Sequence, residues 1–481
     1  MDRKSITKII RFLALIGIVI QVIFLIPLFT AYIYNEQSFM EYWTLWTSGL
    51  LIILFLLRNT SLKLTIKEAI LSVNLVWILG GVMGSGALMV LTHTSFINGF
   101  FESISGFTTT GATIYSDISD LPKAALMLRS TMHWLGGMGI IVLGIGVLSF
   151  INPTASLALF KSESTGIGAT KLTPKLKHTA INLWKVYILL TVFDLLLLKV
   201  EGMSWFNAIN HSFATISTGG FSTKTESMGY WINNPLIIWT TTIFMTVSAI
   251  NFVAHYKLLK GDVSGYKSEE VKWFLLIFMV LSLSLGFVHY FNSNSNIFFS
   301  MTNSFFTISS VMSTTGFATL DYSTWGNLAI ALIFIAMLIG GNAGSTAGGI
   351  KVIRFVVMFK NLKYQIKKTL FPNAVFSIKM DKQPVKADTL SHVGAFIFLF
   401  ILTNFIVTFY LFASGYDLMT SLSASIATIG NIGPGFGHVG PVDNFAFFTP
   451  VQKLVLSAAM IIGRLEFFTV IILFSKDFWK N

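Results

Sequence analysis

The sequence predicts an all-α polytopic membrane protein in which four pseudo-symmetric repeats of span, pore helix, filter loop and span surround one pore, preceded by a two-helix hairpin. Three observations predict it. The 481 residues are 54% hydrophobic and 11% charged, whereas soluble domains run near a quarter charged. Uncharged stretches at 12–34, and at 389–416 with only His392 interrupting, exceed the roughly 20 residues needed to cross hydrocarbon as a helix. One short segment also recurs four times along the chain.

The hairpin comes first, with spans at about 12–34 and 42–57. The first follows Arg3, Lys4, Lys8 and Arg11 as a signal peptide would, but its apolar run outlasts a typical h-region and further spans follow, so it reads as a retained helix. Trp43 and Trp46 read as interfacial anchors. Four pairs of spans succeed it, at about 69–92 and 124–150, 180–200 and 235–256, 273–292 and 325–350, 389–414 and 450–474. The implied units are 1–67, 68–178, 179–270, 271–388 and 389–481.

A net charge of +12 raises nucleic acid as a partner, but the charge is segregated along the chain. Basic residues gather at 3–11, 58–67, 161–177, 257–272 and 351–386, and at Lys476 and Lys480. Acidic residues Glu36, Glu41, Asp117, Asp120, Glu201, Glu226, Asp321, Asp417 and Asp443 dominate the alternate connections, with few cations such as Lys123 and Lys224. This is a topology signal that puts both termini in the cytoplasm and argues against nucleic-acid binding. With no cysteine, disulfides, thiol catalysis and cysteine metal sites are excluded.

The repeated segments are NGFFESISGFTTTGAT from Asn98, NAINHSFATISTGGFS from Asn207, NSFFTISSVMSTTGFA from Asn303 and DLMTSLSASIATIGNI from Asp417. Aligned on Gly111, Gly220, Gly316 and Gly430, each has a threonine two positions earlier: Thr109, Thr218, Thr314 and Thr428. Thirteen before the glycine stand Asn98, Asn207, Asn303 and Asp417, all of N-cap type. Each segment therefore reads as a capped helix of two to three turns and an irregular loop, dipping into the membrane and returning. If these segments crossed, the basic loops would alternate sides.

Irregular backbone at membrane depth is tolerated only where protein or water satisfies it, so four such loops should face one another around a wet axis. Carbonyls there can replace a cation's hydration shell, and inward-pointing helix C-termini favour positive charge. The candidate cation filter is Thr109, Thr110, Gly111, Thr218, Gly219, Gly220, Thr314, Thr315, Gly316, Thr428, Ile429, Gly430 and Asn431.

A second feature lies deeper. Gly340, Gly341, Asn342, Ala343, Gly344, Ser345, Thr346, Ala347, Gly348 and Gly349 interrupt the second span of the third repeat. Each interior glycine costs a helix roughly 1 kcal/mol relative to alanine, so a break is expected there. Arg464 sits at the corresponding depth of the fourth repeat, where an intramembrane cation faces a cavity or a partner such as Glu466. Glu102 and His211, each nine before a filter glycine, read as supports of the loop, and Arg129 as a snorkelling side chain.

Read as a whole, the chain resembles the Trk/Ktr/HKT superfamily of potassium transporters, of the TrkH/TrkG type. The resemblance rests on TTTGAT from Thr108, STGGFST from Ser217, STTGFAT from Ser313, ATIGNIGPGFG from Ala427, GGNAGSTAGGIKVIR from Gly340 and GRLEFFT from Gly463. It implies a complete pore in one chain, a homodimer in a prokaryotic cytoplasmic membrane, and potassium preference where all four filter positions are glycine. It likewise implies that residues 340–349 form an intramembrane gating loop with Arg464 as a neighbouring barrier. No Walker motif or dinucleotide fingerprint is present. The chain is thus expected to hold no cofactor, and the resemblance assigns nucleotide binding to a separate cytosolic TrkA-type subunit, for which segments 161–177 and 351–386 offer basic surface. The fourth loop departs from the others, with Ile429 and Asn431 around Gly430. A sodium-permeable or sodium- or proton-coupled transporter is the alternative. A membrane enzyme would need intramembrane acid–base clusters that the spans lack.

Overall fold

The computed structural model describes residues 2–36, 38–139, 176–293, 295–374 and 376–480. Helices Arg3–Ile23 and Leu25–Ile33 run on as one span of 31 residues, and Ser38–Leu56 returns beside them. Trp43 does more than sit at an interface: its indole N–H donates to Gln21 O at 2.9 Å. The Tyr42 hydroxyl donates to Met83 O, fastening the hairpin to the next span.

Each repeat opens on a continuous helix, Ile66–Thr92, Leu176–Val200, Glu269–Asn292 or Ala387–Ala413. Thr65 and Glu68 close a reciprocal capping box on the first of these, and Ser268 caps the third. Small residues bring these spans close to the short helices they precede. A Cβ on Gly84 would lie 2.1 Å from Ser103 Oγ.

The short helices are Phe96–Phe107, Trp205–Ile216, Ile297–Met312 and Leu418–Ile429. Twelve residues, the length of three of them, extend about 18 Å, too little for a hydrocarbon core of about 30 Å. Their N-caps correct the sequence expectation at three of four places. Ser95, Ser204 and Asn296 accept from the amides of Asn98, Asn207 and Phe299, and only Asp417 caps as expected. Asn98 and Asn207 lie one turn inside the helix, and Asn303 lies further in. Asn98 instead accepts from Lys453 Nζ at 2.8 Å, and Asn207 from Thr223 Oγ1 at 2.9 Å.

The second helix of every repeat stops early, at Gly137, Ser248, Leu338 or Arg464. A break was expected only in the third repeat. The second repeat bends by 100° between Ser248 and Phe252, and the fourth by 114° after Arg464. Asn251 makes the first bend by capping the helix that follows, accepting from Val253 N at 2.8 Å. At the second, Glu466 and Phe467 both have positive φ, 57° and 63°. Phe468 N–H donates to Glu466 O at 2.7 Å, closing a strained three-residue turn. In the third repeat, Ile339–Gly340 pairs in parallel with Ile350–Lys351 before helix Val352–Leu370. The expected remainder of the first repeat's span, to residue 150, and nearly all of the basic segment 161–177 lie outside the described residues.

Candidate functional site

The short helices end at Thr108, Ser217, Ser313 and Gly430, and the chain then takes the same path four times. The next residue, Thr109, Thr218, Thr314 or Asn431, has φ between 54° and 58°. The amide after it returns to the helix: Thr110, Gly219, Thr315 and Ile432 donate to Ser105, Ala214, Ser310 and Ala427 O at 2.8–2.9 Å. A left-handed glycine follows, Gly111, Gly220, Gly316 or Gly433, at φ 82°, 83°, 82° and 96°. Positive φ in three β-branched threonines costs on the order of 1–3 kcal/mol each, so the surroundings must impose it.

These surroundings are the neighbouring loops. A Cβ on Gly111 would lie 2.3 Å from Gly219 O, one on Gly220 1.9 Å from Thr315 O, one on Gly316 2.1 Å from Ile432 O, and one on Gly433 2.6 Å from Thr110 O. The sequence of contacts runs from the first loop to the fourth and back, closing a ring of four carbonyls. Glycine is required there twice over, by its φ and by the oxygen beside it. A second circuit follows the segments beyond the glycines. Ile118 N–H donates to Thr225 Oγ1, Gly229 N–H to Ala318 O, Tyr322 O–H to Gly435 O, and Phe445 N–H to Thr113 O, at 2.8–3.1 Å.

This geometry corrects the fourth loop by three residues. Thr428 and Ile429 belong to the short helix and Gly430 is its C-cap; Thr428 Oγ1 donates to Ala424 O at 2.8 Å. Asn431, Ile432 and Gly433 occupy the positions held by Thr109, Thr110 and Gly111. Gly433 lies sixteen residues after Asp417, as Gly111 does after Ser95 and Gly220 after Ser204. The displaced caps of the first two repeats and the displaced loop of the fourth are one error of register, which the serine caps would have removed; the third repeat has a longer helix, with Asn296 twenty residues before Gly316. Asn431 suits its place because asparagine tolerates a left-handed backbone. Its Nδ2 donates to Thr110 Oγ1 and to Met460 O, both at 3.0 Å. That leaves Oδ1, like Thr109 Oγ1, buried and without a hydrogen-bond partner among the described residues.

Behind the first two loops are buried polar supports. Arg129 does not snorkel: it is 1% exposed, and its Nε donates to Glu102 Oε1 at 2.8 Å. Glu102 also accepts from Thr113 Oγ1 at 3.0 Å and Ile114 N at 2.9 Å, while Arg129 NH1 donates to Ser222 O at 3.2 Å. The Arg129 guanidinium lies 4.0 Å from the Phe221 ring centroid. His211 reaches Ser222 Oγ through Nε2 at 3.0 Å and Asn207 O through Nδ1 at 2.8 Å.

The glycine-rich segment lies next to the C-terminal ends of short helices and contacts the second and fourth repeats as well as its own. Gly348 N–H donates to Thr314 Oγ1 at 2.7 Å. Thr346 Oγ1 lies 3.1 Å from Ile216 O and 3.2 Å from Ser248 O. Asn342 N–H donates to Ala249 O, and Gly344 O accepts from Phe252 N, at 2.8 and 3.0 Å, so the bend in the second repeat is satisfied by the break in the third. Arg464 donates through NH1 to Thr346 O and through NH2 to Gly136 O, both at 2.9 Å. The sequence depths of Arg464 and the glycine run thus meet in space. Glu466 pairs with Arg354 at 2.6 Å. Lys351 Nζ donates to Ala347 O.

Fold and site together define a polytopic helical membrane protein whose four short helices lead into loops that meet one another, a transport architecture. The chain belongs to the TrkH family of cation transport proteins, whose pattern it matches over residues 36–480. It is 37% identical over 433 residues to the Trk system potassium uptake protein TrkH of Escherichia coli K12, covering 88% of each chain. Against the Trk system potassium uptake protein TrkG of the same strain, identity is 34% over 429 residues, again with 88% of each covered. The crystal structure of the potassium transporter TrkH from Vibrio parahaemolyticus superposes with a TM-score of 0.88 at 32% identity, over 100% of both chains.

Proposed function

We propose that this chain takes up potassium ions through the ring formed by its four loops. The observation that carries the reading is the closed set of carbonyls from Thr110, Gly219, Thr315 and Ile432, each against a glycine of the adjacent loop. Such oxygens replace a cation's hydration shell, and four helix C-termini aimed at the same place add partial negative charge. Thr109 Oγ1 and Asn431 Oδ1 supply further acceptors. The relatives that share the fold are named for potassium uptake.

In this reading residues 340–349 and Arg464 form a barrier across the pathway on the far side of the ring. Its weight comes from the arginine, whose positive charge opposes a cation and whose donors hold Thr346 and Gly136. In this reading that side, with both termini, faces the cytoplasm across a prokaryotic inner membrane, an orientation that the segregated basic loops support. Two chains associate, and a TrkA-type nucleotide-binding subunit docks on the cytoplasmic surface, where Lys360, Lys363, Lys367 and Lys368 lie on helix Val352–Leu370.

The test is flux into proteoliposomes driven by a potassium gradient with no second ion gradient, followed by competition with sodium. Potassium flux that excess sodium leaves unchanged is expected. Sodium flux equal to potassium flux would remove the selectivity claim, and dependence on a sodium or proton gradient would replace conduction by coupled transport.

A further inference from the structure

One contact of the glycine-rich segment reaches a carboxylate away from the ring and from Arg464. Ala343 N–H donates to Glu270 Oε1 at 2.7 Å. Glu270 belongs to the first turn of helix Glu269–Asn292, is 7% exposed, and is the carboxylate that the described hydrogen bonds bring to the backbone of residues 340–349. The amide it holds is in irregular chain, where a buried N–H without an acceptor is costly.

The preceding residue points to a different task. Glu269 N–H donates to Asp381 Oδ1 at 2.7 Å, and Asp381 N–H donates back to Glu269 Oε1 at 3.2 Å. Lys360 pairs with Glu269 and also donates to Lys379 O at 2.7 Å. Asp381 and Lys382 form the exposed turn of the two-stranded hairpin Lys379–Met380 and Gln383–Pro384. Two adjacent glutamates at one helix end thus grip, on one side, the segment across the pathway and, on the other, a surface hairpin together with the helix that leaves that segment.

We propose that Glu270 is a positioning residue that latches the glycine-rich segment in its blocking position, and that the hairpin at 379–384 is mechanically linked to this latch through Glu269. The inference rests on the barrier reading above. A pull on the hairpin tilts the helix end and withdraws the acceptor from Ala343, so release of the barrier begins at the surface and not at the ion. Glu270 touches neither the ring nor Arg464 in the described contacts, so it acts on when ions pass and not on which ions pass.

The test uses the full chain in proteoliposomes. Glu270→Ala is expected to raise potassium flux about tenfold, from loss of a buried hydrogen bond in one of two states, with the potassium-to-sodium ratio unchanged. Glu270→Gln keeps an acceptor and is expected to restore flux to within about twofold of the parent. Because the chain lacks cysteine, Ala347→Cys introduces a unique thiol at a site only 3% exposed. Its modification by a water-soluble thiol reagent is expected to accelerate when Glu270→Ala is added. A structural defect alone would lower the melting temperature without this Ala-to-Gln rescue. Arg464→Ala serves as the reference for the barrier itself. If Arg464→Ala raises flux while folded Glu270→Ala leaves flux and thiol modification at parent levels, the latch is wrong and the barrier stands. If neither raises flux, the barrier reading falls and the latch with it.

Discussion

The ring and the layer beside it are built on opposite plans. The ring takes one equivalent piece from each repeat: a residue with left-handed φ, a carbonyl and a glycine fitted to the next carbonyl. The adjoining layer takes unlike pieces, a glycine-rich segment from the third repeat, an arginine from the fourth, a bend from the second and a helix end from the first. An ion at the centre of a ring needs equal ligands on every side, whereas an obstruction needs only to occupy the axis. On the proposed function, symmetry is therefore kept where coordination demands it and lost where only closure is required.

Substitutions that strike one plan and spare the other test this contrast. The largest effect is expected at Gly433→Ala, which places a methyl 2.6 Å from Thr110 O at φ 96°; potassium uptake should fall about a hundredfold, a barrier increase of roughly 2.7 kcal/mol. Thr428→Ala, at the position that sequence alignment alone equates with Thr109, should leave uptake within about twofold, because its hydroxyl only returns to its own helix. Equal losses at both sites would restore the earlier register. In the asymmetric layer the sign reverses: Arg464→Ala is expected to raise flux about tenfold by removing a fixed charge and the bonds to Thr346 and Gly136. A decrease in the folded variant would show the arginine to be part of the pathway's structure.

Smaller effects are expected behind the ring. Arg129→Met leaves Glu102 buried and unpaired and should destabilise the protein by about 3–5 kcal/mol in detergent unfolding, with the double variant Glu102→Gln, Arg129→Met recovering part of the loss. Should the single variant unfold like the parent, the pair is not a support. Smallest of all, Ser204→Ala removes a true cap and should cost about 1 kcal/mol by the same measurement.

Most of the fold could be read from composition and repetition, because a membrane permits few ways to satisfy a backbone and charge segregation orders them. The backbone path of the loops was legible in three repeats, where Thr-x-Gly falls on the left-handed residues and the glycine beside a neighbouring carbonyl. It was misread in the fourth because local identity, Thr428-x-Gly430, competed with the less obvious Asn431-Ile432-Gly433, and side-chain identity at one position is weaker than the interval between a cap and a left-handed glycine. The bends after Ser248 and Arg464 were not legible for a related reason. Nothing at residues 249–251 forbids a helix; the bend is satisfied by bonds from a segment about ninety residues away. Arg129 was misjudged because its partner Glu102 lies on another helix, and only tertiary packing turns an outlying cation into a buried pair.

The order of the ring contacts also bears on how such a protein is made. The first three loops can form two of the four glycine-to-carbonyl contacts, Gly111 with Gly219 and Gly220 with Thr315; the other two need Ile432 and Gly433. During synthesis from the amino terminus, the fourth loop is the last to emerge. Arg464, which bonds to Thr346 of the glycine-rich segment, follows the ring's final glycine by 31 residues. On the proposed function, the nascent chain has no complete ion path until its fourth repeat has been translated, and the residue proposed to guard that path follows within the same repeat, which protects the host membrane against leakage through half-made copies.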